Sequence, residues 1–242
     1  MGKKCFTLNC RVFHEIMKIT YYGHSCFTLE VSGKIILFDP FIRPNELAGS
    51  IDINTIKADY ILVSHGHEDH TADLVYLADR THATVVCSFE IMNWLMKQGI
   101  SKVHPMNTGG KHIFDFGMVK MTFAAHSSSM HDGTYAGVAV GFLVQTETKT
   151  IYYSGDTGLT NEMKLLGEMY KIDTALLPIG DNFTMDAQDA ALAARFLNCD
   201  RIIGLHFDTF GFIKIDHKAA QQAFEKEGKE LILLSIGGQL AL

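Results

Sequence analysis

Three histidines and an aspartate crowd into the six residues 65–70 (HGHEDH), directly after the apolar run 60–63. Imidazole and carboxylate groups together suit borderline divalent metals such as zinc, manganese or iron. A buried core gains nothing from neighbouring histidines, because each ring must be desolvated and hydrogen-bonded. The alternative interpretation is a polar surface loop that happens to be rich in histidine. The residue types and their spacing favour a metal site over that loop.

Three further residues with ligand-type side chains follow apolar runs elsewhere in the chain: His126, Asp156 and His206. Taken alone, a histidine after a strand is more often hydrogen-bonded or exposed, and an aspartate after a glycine is more often a turn or cap residue. Taken together, the pattern gives seven candidate ligands, namely His65, His67, Asp69, His70, His126, Asp156 and His206. Seven groups are too many for one zinc ion and fit two metals that share a carboxylate.

The first half of the chain must position the HGHEDH segment, and it is mainly strand-like. Residues 18–22, 26–31 and 34–38 are short runs rich in β-branched and aromatic side chains, separated by glycine-containing turns. After the histidines, Leu74, Leu77 and Ala78 fall at helical spacing. Residues 83–87 then predict a buried strand, and residues 89–98 predict a helix that stops at Gly99.

The second half must position His126, Asp156 and His206. Alternating residues predict a strand over 118–125, and residues 137–146 and 150–153 predict a hairpin. Strands and helices then alternate, with one helix apolar on the face of Ala190 and Leu197 and a last helix capped by Asp216. We therefore predict one domain over residues 17–242, with two β-rich halves and helices outside; residues 1–16 are expected to be an extension, a cloning remnant or an upstream start.

Composition narrows the class of protein. The chain has 242 residues, 47% of them hydrophobic, and a formal net charge of -6, which argues against broad neutralisation of nucleic-acid phosphates. Its five cysteines are scattered without a CxxC pair, which is typical of reduced thiols and predicts a cytoplasmic protein. No apolar run reaches the length of a transmembrane helix, so no membrane span is expected. Self-association is open, since nothing in the sequence fixes a symmetry.

The order HxHxDH, then His, Asp and His, resembles that of the metallo-β-lactamase superfamily, and the resemblance extends over residues 17–242. The closer resemblance is to a branch of metal-dependent hydrolases related to ascorbate-phosphate lactonases and to the phospholipase D that acts on N-acyl phosphatidylethanolamine. The segments that carry it are 23–27 (GHSCF), 39–41 (DPF), 125–128 (AHSS), 153–158 (YSGDTG), 177–185 (LPIGDNFTM) and 206–210 (HFDTF).

The resemblance implies an α+β fold, a four-layer αββα sandwich with two divalent metals, zinc or manganese or else iron, at one edge. By the same resemblance, one metal is held by His65, His67 and His126, and the other by Asp69, His70 and His206. Asp156 bridges them and, with Asp69, is the candidate catalytic residue. The implied activity is hydrolysis of an ester, lactone or phosphodiester bond in a small substrate, with no nucleic-acid partner.

Several roles stay open at the level of sequence. His24 is a substrate contact, a proton donor or a turn residue; Asp181 and Asn182 contact a ligand or cap the following helix. Asp59 and Ser64 are candidates to orient the ligand histidines, with Asp59 equally well explained as a polar residue at a strand edge. The competing function is iron-dependent redox chemistry on the same scaffold, such as sulfur dioxygenation. A non-catalytic scaffold is disfavoured by the complete set of seven ligands.

Overall fold

The computed structural model describes residues 17–242, whose centre is a pair of seven-stranded sheets. The predicted extension, residues 1–16, lies outside this described part. In spatial order the first sheet contains β14 (Gln239–Ala241), β1 (Lys18–Gly23), β2 (Cys26–Val31), β3 (Lys34–Phe38), β4 (Tyr60–Leu62), β5 (Thr84–Ser88) and β6 (Val103–Met106). The second contains β13 (Glu230–Ile232), β12 (Arg201–Leu205), β11 (Thr174–Pro178), β10 (Thr150–Tyr153), β9 (Val140–Gln145), β8 (Gly117–Phe123) and β7 (Lys111–Phe114).

The helices cover the outer faces of the two sheets. They are α1 (Glu68–Thr71), α2 (Leu74–Thr81), α3 (Phe89–Lys97), α4 (Asn161–Met169), α5 (Ala187–Phe196) and α6 (His217–Lys226). Helices α2 and α3 pack on the first sheet, whereas α4, α5 and α6 pack on the second. Within residues 17–242 no helix combines the length and apolar character needed to cross a bilayer.

Strand alternation separates three buried layers. Because successive side chains of a strand point to opposite faces, Tyr153 packs between the sheets while Tyr152 packs against the helices of the second sheet. Phe27 and Phe38 stack at 4.4 Å in the layer between the sheets. The order helix, sheet, sheet, helix confirms the predicted αββα sandwich.

The local predictions also held in most places. The hairpin is formed by β9 and β10, α3 ends one residue before the predicted end, and Asp216 caps α6 by accepting from the backbone N–H groups of Lys218 and Ala219. The predicted strand 118–125 was too long, because β8 ends at Phe123. His126 therefore lies in the loop beyond the strand.

Sheet topology brings the ends of separate strands to one edge. In the first sheet β1, β3 and β4 run in the same direction, and in the second β8, β10, β11 and β12 do. The carboxyl ends of these strands meet where the backbone N–H of His206 donates to the carbonyl of His24 at 3.0 Å. The candidate ligands lie in the loops that leave this edge or, for Asp69 and His70, in the short helix α1 beside it.

Three residues that directly follow strands at this edge adopt the left-handed backbone region. The φ angles are 55° at His24, 40° at Asp39 and 55° at His206. Positive φ is uncommon for residues with a Cβ, and such strained positions concentrate at functional sites. Each of these residues directly follows a strand, so the chain turns at the strand end.

Candidate metal centre

The first group of candidate ligands consists of His65, His67 and His126. His65 follows β4, His67 precedes α1, and His126 follows β8. Nε2 of His65 lies 3.0 Å from Nδ1 of His67, which in turn lies 3.3 Å from Nε2 of His126. One nitrogen of each ring falls within 4.8 Å of the others, so the three could hold one metal ion.

The second group consists of Asp69, His70 and His206, with His24 beside them. Oδ2 of Asp69 lies 3.7 Å from Nε2 of His206 and 3.9 Å from Nε2 of His70. The four side chains could likewise hold one ion, because their donor atoms lie within 4.8 Å of one another. Sequence reasoning did not count His24 among the ligands.

Asp156 lies between the two groups. Its Oδ2 is 2.9 Å from Nε2 of His206, 3.3 Å from Nε2 of His70 and 3.8 Å from Nε2 of His126. Gly155 allows this approach, because its φ is +62° and an added Cβ would collide with the carbonyl of Val140. The carboxylate thus faces nitrogen atoms from both groups.

Unpaired buried atoms show that these residues fit a cation. Nε2 of His70 and Oδ1 of Asp156 are buried and have no hydrogen-bond partner among residues 17–242. Leaving such atoms unpaired is costly, and each one calls for an explanation. Five imidazoles and two carboxylates with free lone pairs are the donor set of zinc, manganese or iron. The arrangement therefore fits a divalent metal centre.

A carboxylate that sequence reasoning did not assign, that of Asp39, contacts one candidate ligand directly and a second through Ser64. Oδ2 of Asp39, fully buried, accepts from the hydroxyl of Ser64 at 2.5 Å, from that of Tyr153 at 2.5 Å and from Nδ1 of His70 at 2.8 Å. Oδ1 accepts from the backbone N–H of Ser64 at 2.8 Å. Partners of this kind fix the ring orientation of a ligand histidine. The available signal was the same as for the ligands, an acidic residue at the end of an apolar strand.

The two predicted orienting residues have different outcomes. The hydroxyl of Ser64 lies 3.0 Å from Nδ1 of His65, so Ser64 connects Asp39 to a ligand histidine. Asp59 is exposed and accepts from the backbone N–H of Ile35 at 2.9 Å, which is the strand-edge role.

Gly66 lets the HGHEDH segment pass close to a neighbouring loop. A Cβ at this position would lie 2.5 Å from Cβ of Ala136 and 2.8 Å from Sδ of Met130. The N–H of Gly66 donates to the hydroxyl of Ser128 at 3.2 Å. The glycine is required because the loop 128–136 leaves no room for a side chain.

Burial and charge set opposite proton affinities within the cluster. Burial, together with the charge of neighbouring His70, holds the pKa of His65 well below its ordinary value. Burial alone would lower the pKa of His206, but the carboxylate of Asp156 outweighs it and raises that pKa to about 9. A divalent cation would compete with the protons of such histidines, because only the neutral ring is a ligand.

His24 lies in the turn between β1 and β2, as one of its alternatives predicted, and its side chain is buried beneath the cleft. Its Nε2 lies 3.1 Å from Oδ2 of Asp69 and its Nδ1 lies 3.0 Å from the hydroxyl of Thr209. Burial, with the charge of His206, lowers the pKa of His24 to about 4, so the ring is neutral at ordinary pH. The contacts hold the carboxylate of Asp69 in place.

A cleft of about 930 Å³ opens above the cluster. His67, Asp69, His126, Asp156 and His206 form its polar floor. The predicted substrate contacts Asp181 and Asn182 are exposed and are not among the residues that line it, whereas the adjacent Phe183 is. The alternative prediction, that this segment caps the next helix, is wrong, because Asp186 caps α5 through the N–H groups of Gln188 and Asp189.

Comparison with known proteins gives a consistent family. Residues 18–206 match the β-lactamase superfamily domain, a span that includes all seven candidate ligands. A metal-dependent hydrolase of family UPF0173 from Flavobacterium johnsoniae is 51% identical over 226 residues, covering 93% of this chain and all of that protein. A second, from Methylacidiphilum infernorum, is also 51% identical over 226 residues, with the same coverage.

A solved structure agrees with these relatives. Igni18, a metallo hydrolase from the archaeon Ignicoccus hospitalis, superposes with a TM-score of 0.85 at 33% identity, covering 94% of this chain and 98% of its own. A matched domain over most of the chain, relatives identical at half of their positions and a cluster able to bind metal all agree. The chain belongs to the metallo-β-lactamase superfamily and is one of its metal-dependent hydrolases.

Proposed function

We propose that the cluster binds two divalent metal ions and hydrolyses an ester, lactone or phosphodiester bond of a small substrate. The observation that carries this proposal is the position of the Asp156 carboxylate, buried and within 4 Å of histidine nitrogens from both groups. A shared carboxylate between two sets of ligands is the usual arrangement of a dinuclear hydrolytic site.

The chain supplies a holder for each ion. His65, His67 and His126 would hold one, and Asp69, His70 and His206 would hold the other, with Asp156 between them. When bound, such ions lower the pKa of a water molecule and polarise the substrate oxygen. Zinc, manganese and iron all suit this donor set, and hydrolysis is favoured by the metal-dependent hydrolases among the relatives.

The remaining task for the chain is to orient the attacking water and to accept a hydrogen bond from it. The side chain of Asp69 is 25% exposed at the floor of the cleft, while its Oδ2 is fixed by His24. A fixed carboxylate can hold the proton of an attacking water and align its lone pair. Burial alone would raise the pKa of Asp69, but neighbouring His70, His206 and His24 lower it, so the group stays ionised and can accept a hydrogen bond from the water.

The compartment is proposed from the thiols. Cys26, Cys87 and Cys199 are buried and free. Reduced cysteines of this kind suit a reducing compartment such as the cytoplasm.

Metal analysis of the protein purified without chelator tests the function. We expect about two equivalents of zinc or manganese per chain, and metal-dependent cleavage of p-nitrophenyl esters or bis-p-nitrophenyl phosphate. Asp156→Ala should lose about one equivalent and reduce kcat/KM by roughly a thousandfold or more. Asp200→Ala is the matched control, because this carboxylate is 86% exposed and Lys229 is the one charged group of residues 17–242 with which it pairs.

Each other outcome has a definite meaning. Unchanged metal content and turnover in Asp156→Ala would refute the bridging role. Iron near one equivalent, without hydrolysis, would favour the redox alternative. Protein that takes up no metal on reconstitution would refute the site altogether.

A further inference from the structure

The walls of the cleft differ sharply from its floor. Phe41, Phe183, Phe210 and Phe212 line it, and the last three expose 50%, 36% and 77% of their surface. Exposed apolar side chains grouped beside a polar site are characteristic of ligand-binding surfaces. Since burial of these rings against a ligand would remove apolar surface from water, the walls can attract an apolar group.

The backbone holds Phe210 and Phe212 firmly in this position. Both lie in the segment after β12, which turns at Asp208, where φ is 62°. The carboxylate of Asp208 accepts from the N–H of Ile215 at 3.1 Å and lies 2.6 Å from Nε2 of His217. Thr209 ties the same loop to His24. Phe210 also packs 5.3 Å from the ring of His24, so the wall is joined to the residue that positions Asp69.

Phe183 comes from an independent loop after β11. Asp181 and Met185 close this loop by a backbone hydrogen bond of 3.1 Å, and the N–H of Met185 donates to the carbonyl of Thr157 at 3.1 Å. The rings of Phe183 and Phe212 approach edge to face, with centroids 6.2 Å apart. Two loops thus converge on one aromatic wall.

The charged residues that line the cleft also favour an apolar, uncharged ligand over an anionic one. Among residues 17–242 no lysine or arginine lines it, while Glu46 and Glu68 line it and are exposed. Recognition of phosphate or carboxylate groups away from the reacting bond usually employs arginine or lysine. A substrate with an extra anionic group would meet two carboxylates and no cation from the protein.

We propose that the aromatic wall formed by Phe183 and Phe212 binds an apolar, uncharged acyl or aryl group next to the bond that is cleaved. The substrate class is therefore neutral apolar esters or lactones rather than phosphorylated metabolites. This inference rests on the proposed function, since it assigns the specificity of the same site.

A series of p-nitrophenyl esters, assayed on the zinc-loaded protein, tests the wall. We expect kcat/KM to rise on the order of tenfold from acetate to octanoate, and to rise less than about threefold in the double variant Phe183→Ala/Phe212→Ala. Phe89→Ala is the control, because Phe89 is 53% exposed and does not line the cleft. The kcat/KM for p-nitrophenyl butyrate should exceed that for the similarly sized but anionic mono-p-nitrophenyl succinate on the order of tenfold.

A binding measurement separates this inference from the proposed function. Equilibrium dialysis with 2-acetonaphthone, a neutral aryl ketone, should show binding that weakens on the order of tenfold in the double variant. Hydrolysis that does not depend on chain length or on the two phenylalanines would overturn the inference and leave the function intact. Binding that depends on the phenylalanines, without hydrolysis of any ester, lactone or phosphodiester, would support the wall and refute the function. No binding and no hydrolysis would refute both.

Discussion

The two sheets contribute to the candidate metal centre in different ways. The first supplies four of the seven candidate ligands from the single segment 65–70 and supports them with Asp39 and Ser64. The second supplies His126, Asp156 and His206, each from a different strand end. Within residues 17–242, Oδ1 of Asp156 and Nδ1 of His206 on that side are buried without a hydrogen-bond partner, whereas on the first sheet only Nε2 of His70 among the ligand atoms is.

The difference concerns what holds each ligand in place. On the first sheet, a hydrogen-bonded network fixes the rings, so ligand geometry is prepared before a metal binds. On the second sheet, the position of each candidate ligand is set mainly by sheet topology. A bound cation would then stabilise the buried atoms that lack a hydrogen-bond partner. We therefore expect removal of a supporting residue to be more damaging on the first sheet than on the second.

Of the changes that test this comparison, Asp39→Asn should have the largest effect on stability and metal affinity. The amide keeps one acceptor oxygen but places an N–H₂ group opposite either the donors of Ser64, Tyr153 and His70 or, if it is rotated, the backbone N–H of Ser64. We expect the free energy of unfolding to fall by about 3 kcal/mol or more, and metal affinity to fall about 10- to 100-fold. Urea unfolding and chelator competition measure the two effects.

Asp59→Asn provides the control for that change. It alters an exposed carboxylate of the same sheet that accepts from the N–H of Ile35. Wild-type metal affinity in Asp39→Asn would show that the network does not orient the ligands.

How much of the site could be predicted from the sequence also differs between the two sheets. The HGHEDH segment was recognisable because its ligands are neighbours in the chain, and the layers followed from alternation and helical spacing. The rule that function lies at strand ends selected His126, Asp156 and His206. It also applied to Asp39, but a lone aspartate after a strand reveals nothing of the three donors that the fold brings to it.

The walls of the cleft were beyond sequence reasoning. Asp181 and Asn182 were selected for their polarity, yet the neighbouring Phe183 lines the cleft. The conformation of this loop depends on Thr157, a residue distant in the chain. Phe210 and Phe212 depend on the left-handed turn at Asp208. Such loop geometry is decided by long-range contacts rather than by local composition.

Thr157→Val tests the second sheet with a smaller expected effect. The hydroxyl of Thr157 accepts from the N–H of Ala125 at 2.9 Å, so it links the segment of His126 to that of Asp156. Valine keeps the volume but leaves a partly buried N–H unpaired, which should cost about 1–3 kcal/mol. Metal affinity should fall less than in Asp39→Asn, because no ligand ring loses its partner.

Thr157→Ser is the matched control for this variant. It retains the hydroxyl and should restore the affinity of the wild type. If Thr157→Val lowered metal affinity as much as Asp39→Asn, the proposed contrast between the two sheets would be wrong.

Tyr153→Phe examines the hydroxyl through which the second sheet reaches Asp39, and we expect the smallest effect. Burial and the charges of Asp39 and Asp156 raise the pKa of Tyr153 well above its ordinary value, so the hydroxyl keeps its proton and donates across the sheets. Phenylalanine preserves the ring contacts with Phe27 and Phe38, at 5.3 and 5.6 Å.

Because Asp39 retains Ser64 and His70 as donors, Tyr153→Phe should lose about 1 kcal/mol of stability in urea unfolding and less than about tenfold in metal affinity. Tyr152→Phe is the control, since that ring faces the helices instead. A loss equal to that of Asp39→Asn would mean that the hydroxyl, rather than the carboxylate, organises the centre. The supporting network would then belong to both sheets equally.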